Sequence, residues 1–143
     1  GSINVVPGRC LFSLDLRAPT DAQRDAMVTD VLDELAKIAQ RRGLRYTIEE
    51  SMRAAAAPSA PALQHHWERA VDALGVPVFR MPSGAGHDAM KLHAILPQAM
   101  LFVRGENSGI SHNPLESTTN NDMQLAVDAF SQVLHQLAEE SQP

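Results

Sequence analysis

The sequence predicts a mixed class, α/β (α+β), built from strands and helices in alternation. Two alternating segments, residues 9–17 and 44–49, flank a helical stripe over residues 22–42. Downstream, residues 99–103 (AMLFV) form a continuous apolar run between polar loops. A period of two marks a half-covered strand, a period of 3.6 an amphipathic helix, and an unbroken apolar run a strand covered on both faces.

Taken in order, Cys10, Phe12, Leu14 and Leu16 face one way and Ser13, Asp15 and Arg17 the other, which places Cys10 in the core. Ala18-Pro19-Thr20-Asp21 supplies a turn and an N-cap. Val28, Val31, Leu32, Leu35, Ile38 and Ala39 share a helix face, with Arg41, Arg42 and Gly43 suited to its end. Leu44, Tyr46 and Ile48 alternate as a second strand, so the first 50 residues read strand–helix–strand. The small, proline-containing stretch Ala54–Pro61 (AAAAPSAP) reads as an extended connector. It marks a boundary between a unit at 1–55 and a unit at 56–143. Pro61 suits the first turn of a helix whose face is Leu63, Trp67, Ala70, Val71 and Leu74. Residues 76–81 read as a short strand interrupted by Pro77. The turn at 82–88 (PSGAGHD) opens a helix to about Leu96, and a last helix is predicted over 119–139.

Composition bounds what the chain can do. It has 143 residues, 44% hydrophobic and 20% charged, close to globular averages. A net charge of −5 argues against a nucleic-acid binder held by phosphate contacts. No apolar run reaches a membrane-spanning length, so neither nucleic acid nor membrane is an expected partner. A single cysteine, Cys10, cannot form an internal disulfide and fits a reducing cytoplasm. Aromatic residues are only 4%, a thin supply for a free-standing core. The chain opens on Gly1-Ser2 without an initiator methionine, which reads as a piece of something longer.

Several residues are suited to chemistry. His87 follows Gly84-Ala85-Gly86 at a predicted helix start. A histidine there either caps the helix or donates to a carbonyl or a developing negative charge. His112 lies in a loop after an apolar run, where it is either a metal ligand or a backbone-bonded loop residue. Arg17 ends the first extended segment and can bind a carboxylate with two parallel hydrogen bonds; Asn4 sits at its other end. His65 and His66, adjacent on a helix, face different directions and do not read as a metal pair.

Five segments occur in a fixed order: Asn4-Val5-Val6-Pro7-Gly8, Phe12 to Arg17, Pro82 to Ala89 (PSGAGHDA), Pro97 with Met100 to Val103, and Gly109 to Glu116 (GISHNPLE). Together they resemble the C-terminal part of the zinc-dependent amidohydrolase and carbamoylase family, which lies within the broader aminoacylase and carboxypeptidase-like metallopeptidases. The resemblance covers essentially the whole chain, and GAGHDA and SHNPLE are its most specific parts.

The resemblance implies the second half of a strand–helix–strand lid or dimerisation domain, followed by the C-terminal part of a zinc-aminopeptidase-like α/β catalytic domain. Asn4 and Arg17 resemble the lid residues that grip a substrate carboxylate. Gly86 and His87 resemble the substrate-binding turn, and His112 the last metal ligand. The implied reaction is hydrolysis of a linear amide or ureido C–N bond, with two divalent metal ions (Zn or Mn). The implied partners are a small carboxylate substrate and a second copy joined through the lid. The family's general-base glutamate and other metal ligands have no counterpart here, so no catalytic residue is assigned. The chain alone is expected to be inactive and metal-poor. An aminoacylase or peptidase of the same superfamily, and a non-catalytic binding or dimerising module, are the alternatives.

Overall fold

A computed structural model describes residues 3–141; Gly1 and Ser2 lie outside the described residues. The chain divides into two compact units, Gly1–Ala56 and Ala57–Pro143.

The first unit is organised on α1 (Asp21–Arg42). Thr20 caps it, its Oγ1 accepting from the Gln23 N–H at 3.3 Å. This satisfies one of the amides a helix start leaves without a partner. Asp21 in the first turn and Arg41 and Arg42 in the last oppose the helix dipole. Gly43 ends the helix at φ +62°, a conformation that costs glycine nothing, and the Leu44 N–H closes on the Ala39 carbonyl at 2.9 Å. Val28, Val31, Leu35 and Ile38 are half-buried and Ala39 is buried, so the expected stripe is the covered face except at Leu32, which is exposed. Residues 50–56 return to the start of α1 through ions. Arg24 Nη1 donates to Asp21 at 2.7 Å and to the Ala54 carbonyl at 2.5 Å. Asp21 also accepts from the Ala56 N–H at 2.9 Å. Arg53 reaches both Glu50 and Asp25, at 2.8 and 2.7 Å.

The second unit is held by apolar contact between α2 (Pro61–Ala73) and α4 (Asn120–Glu140). Pro61 occupies the first helical position, where its missing N–H is no loss. Thr119 caps α4 by accepting from the Asp122 N–H at 3.0 Å. Ala70, Ala129 and Val133 are buried at the crossing, surrounded by Trp67, Leu74, Leu101 and Leu137. Two alanines at the crossing let the backbones approach closely. Trp67 and Phe130 pack at a ring separation of 5.9 Å. Gln98 ties residues 57–60 to the stretch before 99–103: its side-chain amide donates to the Ala57 and Pro58 carbonyls at 3.2 and 3.3 Å, and its backbone carbonyl accepts from the Ala60 N–H at 2.8 Å. A short helix, α3 (Ala89–Leu92), and a 3-10 turn at Asn107–Gly109 complete the unit.

The expected α/β (α+β) class is overturned. Among the described residues no strand forms; 9–17, 44–49, 76–81 and 99–103 carry no ladder. The lid-type strand–helix–strand sandwich and the α/β catalytic core are therefore both absent as such. Period-two alternation specifies which face of a strand is covered once a neighbour is in place. It does not supply the neighbour, and a strand's N–H and C=O groups need one. Without a sheet the apolar members stay in the open. Phe12, Leu14, Ile48, Phe79 and Phe102 are all exposed. Cys10, expected in the core, is exposed for the same reason. The helix expected from 88 to 96 shortens to one turn, with Ile95 and Leu96 closing irregularly on the Leu92 carbonyl. Among the described residues no helix is long and apolar enough to cross a membrane.

Candidate functional site

The candidate residues fall on three irregular segments: Asn4 and Arg17 in the first unit, and Gly86, His87 and His112 in the second. Arg17 and Asp15 lie two residues apart on an irregular stretch, and their side chains meet. Arg17 Nε sits 3.0 Å from both Asp15 oxygens and Nη2 sits 2.6 Å from Oδ2. The hydrogen bonds from Arg17 hold the Asp15 carboxyl below its ordinary range, and Asp15 in turn raises Arg17. Both groups are exposed. The pair shows that the Arg17 fork can take a planar carboxylate with parallel hydrogen bonds. A ligand carboxylate would bind there in competition with Asp15. Asn4 is an exposed residue of the turn that precedes this stretch.

The turn at 82–88 is exposed throughout. His87 Nδ1 accepts from the Ala89 N–H at 3.1 Å, at the start of α3. An accepting Nδ1 fixes the neutral ring as the Nε2–H tautomer. His87 thus caps its short helix and still presents one ring N–H as a donor. The two readings of this residue are compatible. Gly86 precedes it in an exposed backbone where a side chain would meet nothing within 4 Å.

The loop 104–118 is a self-closed unit. The Glu106 N–H donates to the Ser117 carbonyl at 2.9 Å, and the Ser117 hydroxyl returns to the Glu106 carboxylate at 2.9 Å. Asn107 Nδ2 donates to the Leu115 carbonyl at 2.7 Å, and the Thr118 hydroxyl to the Arg104 carbonyl at 2.7 Å. Asn107, Ser108 and Gly109 all have positive φ, and His112 is a fourth at +55°. For His112 this left-handed conformation is costly, on the order of 1 kcal/mol or more. What holds it is a charge-assisted bond: the His112 N–H donates to Glu116 Oε2 at 2.8 Å. Asn113 closes the same turn, its side chain accepting from the Leu115 N–H at 2.9 Å. His112 is exposed at the tip.

Among the described residues no group of three or more His, Cys, Asp or Glu side chains is placed to hold a metal ion. His112 offers one imidazole, and a protein site for zinc takes at least three protein ligands. The described residues do not by themselves fit a metal centre.

The family model for the peptidase family M20/M25/M40 matches residues 2–136, almost the entire chain. The chain belongs to this family. M20 is a family of metallopeptidases. This M20 chain is 36% identical over 139 residues to an N-carbamoyl-L-amino acid amidohydrolase of Geobacillus stearothermophilus, covering 97% of the chain and 34% of the relative. It is 34% identical over 136 residues to an allantoate amidohydrolase of Bacillus subtilis, covering 94% and 32%. It is 35% identical over 133 residues to an allantoate deiminase of Arabidopsis thaliana, covering 86% and 25%. The chain therefore spans about a third or less of the length of these relatives.

Two features of the M20 chain escaped the sequence reading. Glu116 is one; a carboxylate four residues after a loop histidine is a usable signal, since such spacing lets it reach back to that backbone. The other is His66, set aside as half of an unpaired histidine doublet. It is buried, and its ring is engaged on both nitrogens.

Proposed function

We propose that this chain is part of an M20 amidohydrolase that cleaves a linear amide or ureido C–N bond of an N-carbamoyl amino acid or an allantoate-like acid. The observation that carries the reading is the similarity, over nearly the whole chain, to relatives named for those substrates. The residues suit it. Arg17 binds the substrate carboxylate in place of Asp15, with Asn4 beside the substrate. His87, carrying its proton on Nε2, donates to the carbonyl oxygen as charge grows there, and Gly86 leaves room for close approach. His112 contributes one ligand of a two-metal site (Zn or Mn). The other ligands and the general-base glutamate come from residues outside this chain, so the 143 residues alone are inactive and metal-poor. The complete enzyme is a cytoplasmic homodimer joined through the unit that carries Arg17.

The test is steady-state kinetics on a gene product that carries these residues together with the rest of an M20 chain. Arg17→Ala removes a charged hydrogen-bonding group worth about 1.5–3 kcal/mol, so KM rises roughly 10- to 100-fold for an N-carbamoyl amino acid. The corresponding carbamoyl amine, lacking the carboxylate, is unaffected. An unchanged KM for the acid would sink the assignment of Arg17. Stoichiometric zinc and turnover in the isolated 143 residues would sink the assignment of the remaining site to other residues.

A further inference from the structure

Away from the candidate site, the structure buries a titratable ring with more partners than one protonation state can satisfy. His66 of α2 is 4% exposed. Its Nε2 lies 3.2 Å from Glu140 Oε2 on α4. Its Nδ1 lies 2.9 Å from Gln136 Oε1, also on α4, and 2.8 Å from Arg69 Nη2, one turn along α2. A ring nitrogen either donates or accepts. As an acceptor, Nδ1 takes the Arg69 N–H but faces the Gln136 oxygen lone pair to lone pair. As a donor, it serves Gln136 but meets the Arg69 N–H head on. Turning the Gln136 amide over does not relieve this, because its oxygen also accepts from Arg69 Nε at 3.1 Å. Glu140 already shares Arg69, its Oε1 accepting from Nη2 over a long 3.4 Å. Among the described residues the charged groups facing the ring are thus Arg69 from α2 and Glu140 from α4, with the neutral Gln136 between them.

We propose that His66 is a proton-operated latch between α2 and α4: a proton taken up on Nδ1 moves the Arg69 guanidinium from His66 to Glu140. In the neutral state Nε2–H donates to Glu140 and Nδ1 accepts from Arg69. In the protonated state Nε2–H keeps Glu140, Nδ1–H turns to Gln136, and Arg69 closes its gap to the Glu140 carboxylate. The exchange needs only a solvent proton and a short swing of a planar, always-charged group. It sits about two turns along α4 from the Trp67–Phe130 pair that packs the same two helices.

Nitrogen-detected NMR of the whole chain, across the range in which histidines titrate, tests this. The neutral His66 ring is expected as the Nε2–H tautomer. The Arg69 Nε–H resonance is expected to shift with the same midpoint as the ring. His65, exposed and paired with Glu68 at 3.0 Å, serves as the control whose titration leaves Arg69 unmoved. Glu140→Gln is expected to abolish the Arg69 shift while the ring still titrates. His66→Gln is expected to make Arg69 independent of pH, and the Glu140→Gln arm keeps the test decisive if that variant does not fold. An Arg69 resonance that ignores the ring, a neutral Nδ1–H tautomer, or a ring that stays neutral until the chain unfolds would each overturn the latch.

Discussion

The two units of this chain are held together by opposite means. In Gly1–Ala56 the long-range ties are ionic: Arg24 and Arg53 share Asp25 and gather Asp21, Glu50 and the backbone of 54–56 at the start of one helix. Among the described hydrophobic residues of this unit only Ala39 is buried. In Ala57–Pro143 a small apolar crossing of α2 on α4 carries the packing, with the polar group of His66, Arg69, Gln136 and Glu140 beside it. Exposed ion pairs contribute little each and are screened by salt, whereas close-packed contacts are indifferent to salt and sensitive to volume. One chain therefore offers two units that should fail under different insults.

The largest contrast comes from volume. Ala70 is 0% exposed, so Ala70→Leu forces three extra carbons into a filled crossing and costs about 1–3 kcal/mol. Trp67, the only tryptophan, lies in this unit and packs against that crossing. Its fluorescence should report a lower melting temperature, while hydrogen exchange of the α1 amides stays unchanged. Equal loss of protection in α1 would break the comparison. A smaller effect is expected from Arg24→Ala. Arg24 bridges Asp21, Asp25 and the Ala54 carbonyl with a side chain 16% exposed, and its loss costs about 1 kcal/mol after discounting for solvent. The difference between this variant and the parent should shrink in about 1 M salt, where the screening length falls to about 3 Å. An undiminished difference would mean that the tie is packing by the Arg24 stem.

The long helices α1, α2 and α4 were legible in the sequence because their signals are local. Thr20 and Thr119 cap, Pro61 opens, Gly43 closes, and each stripe spaces itself within one element. The strands were not, because residues 9–17, 44–49, 76–81 and 99–103 announce a covered face without naming a partner. The site divides the same way. His87 at a helix start was readable from its neighbours, and its ring accepts from the Ala89 N–H; the neighbours of Arg17 left a solvated charge and a carboxylate binder both open, and the structure pairs it with Asp15. The buried ring of His66 was not readable, since its partners Gln136 and Glu140 lie some seventy residues on.

The smallest predicted effect is also the most specific to the ionic unit. Hydrogen bonds from Arg53 hold the Glu50 carboxyl below its ordinary range. A carboxyl depressed on folding stabilises the unit above its unfolded pKa. That contribution is lost as pH falls through the lower folded value. Arg53→Gln removes the charge and the forked hydrogen bonds, so the side-chain carboxyl carbon of Glu50 should titrate at higher pH, back toward the ordinary glutamate range. The acid limb of unfolding followed at α1 should flatten correspondingly. Asp15, held by Arg17 and not by Arg53, should titrate as before. If Glu50 keeps its depressed titration in the variant, the Arg53 ion pair is not its cause.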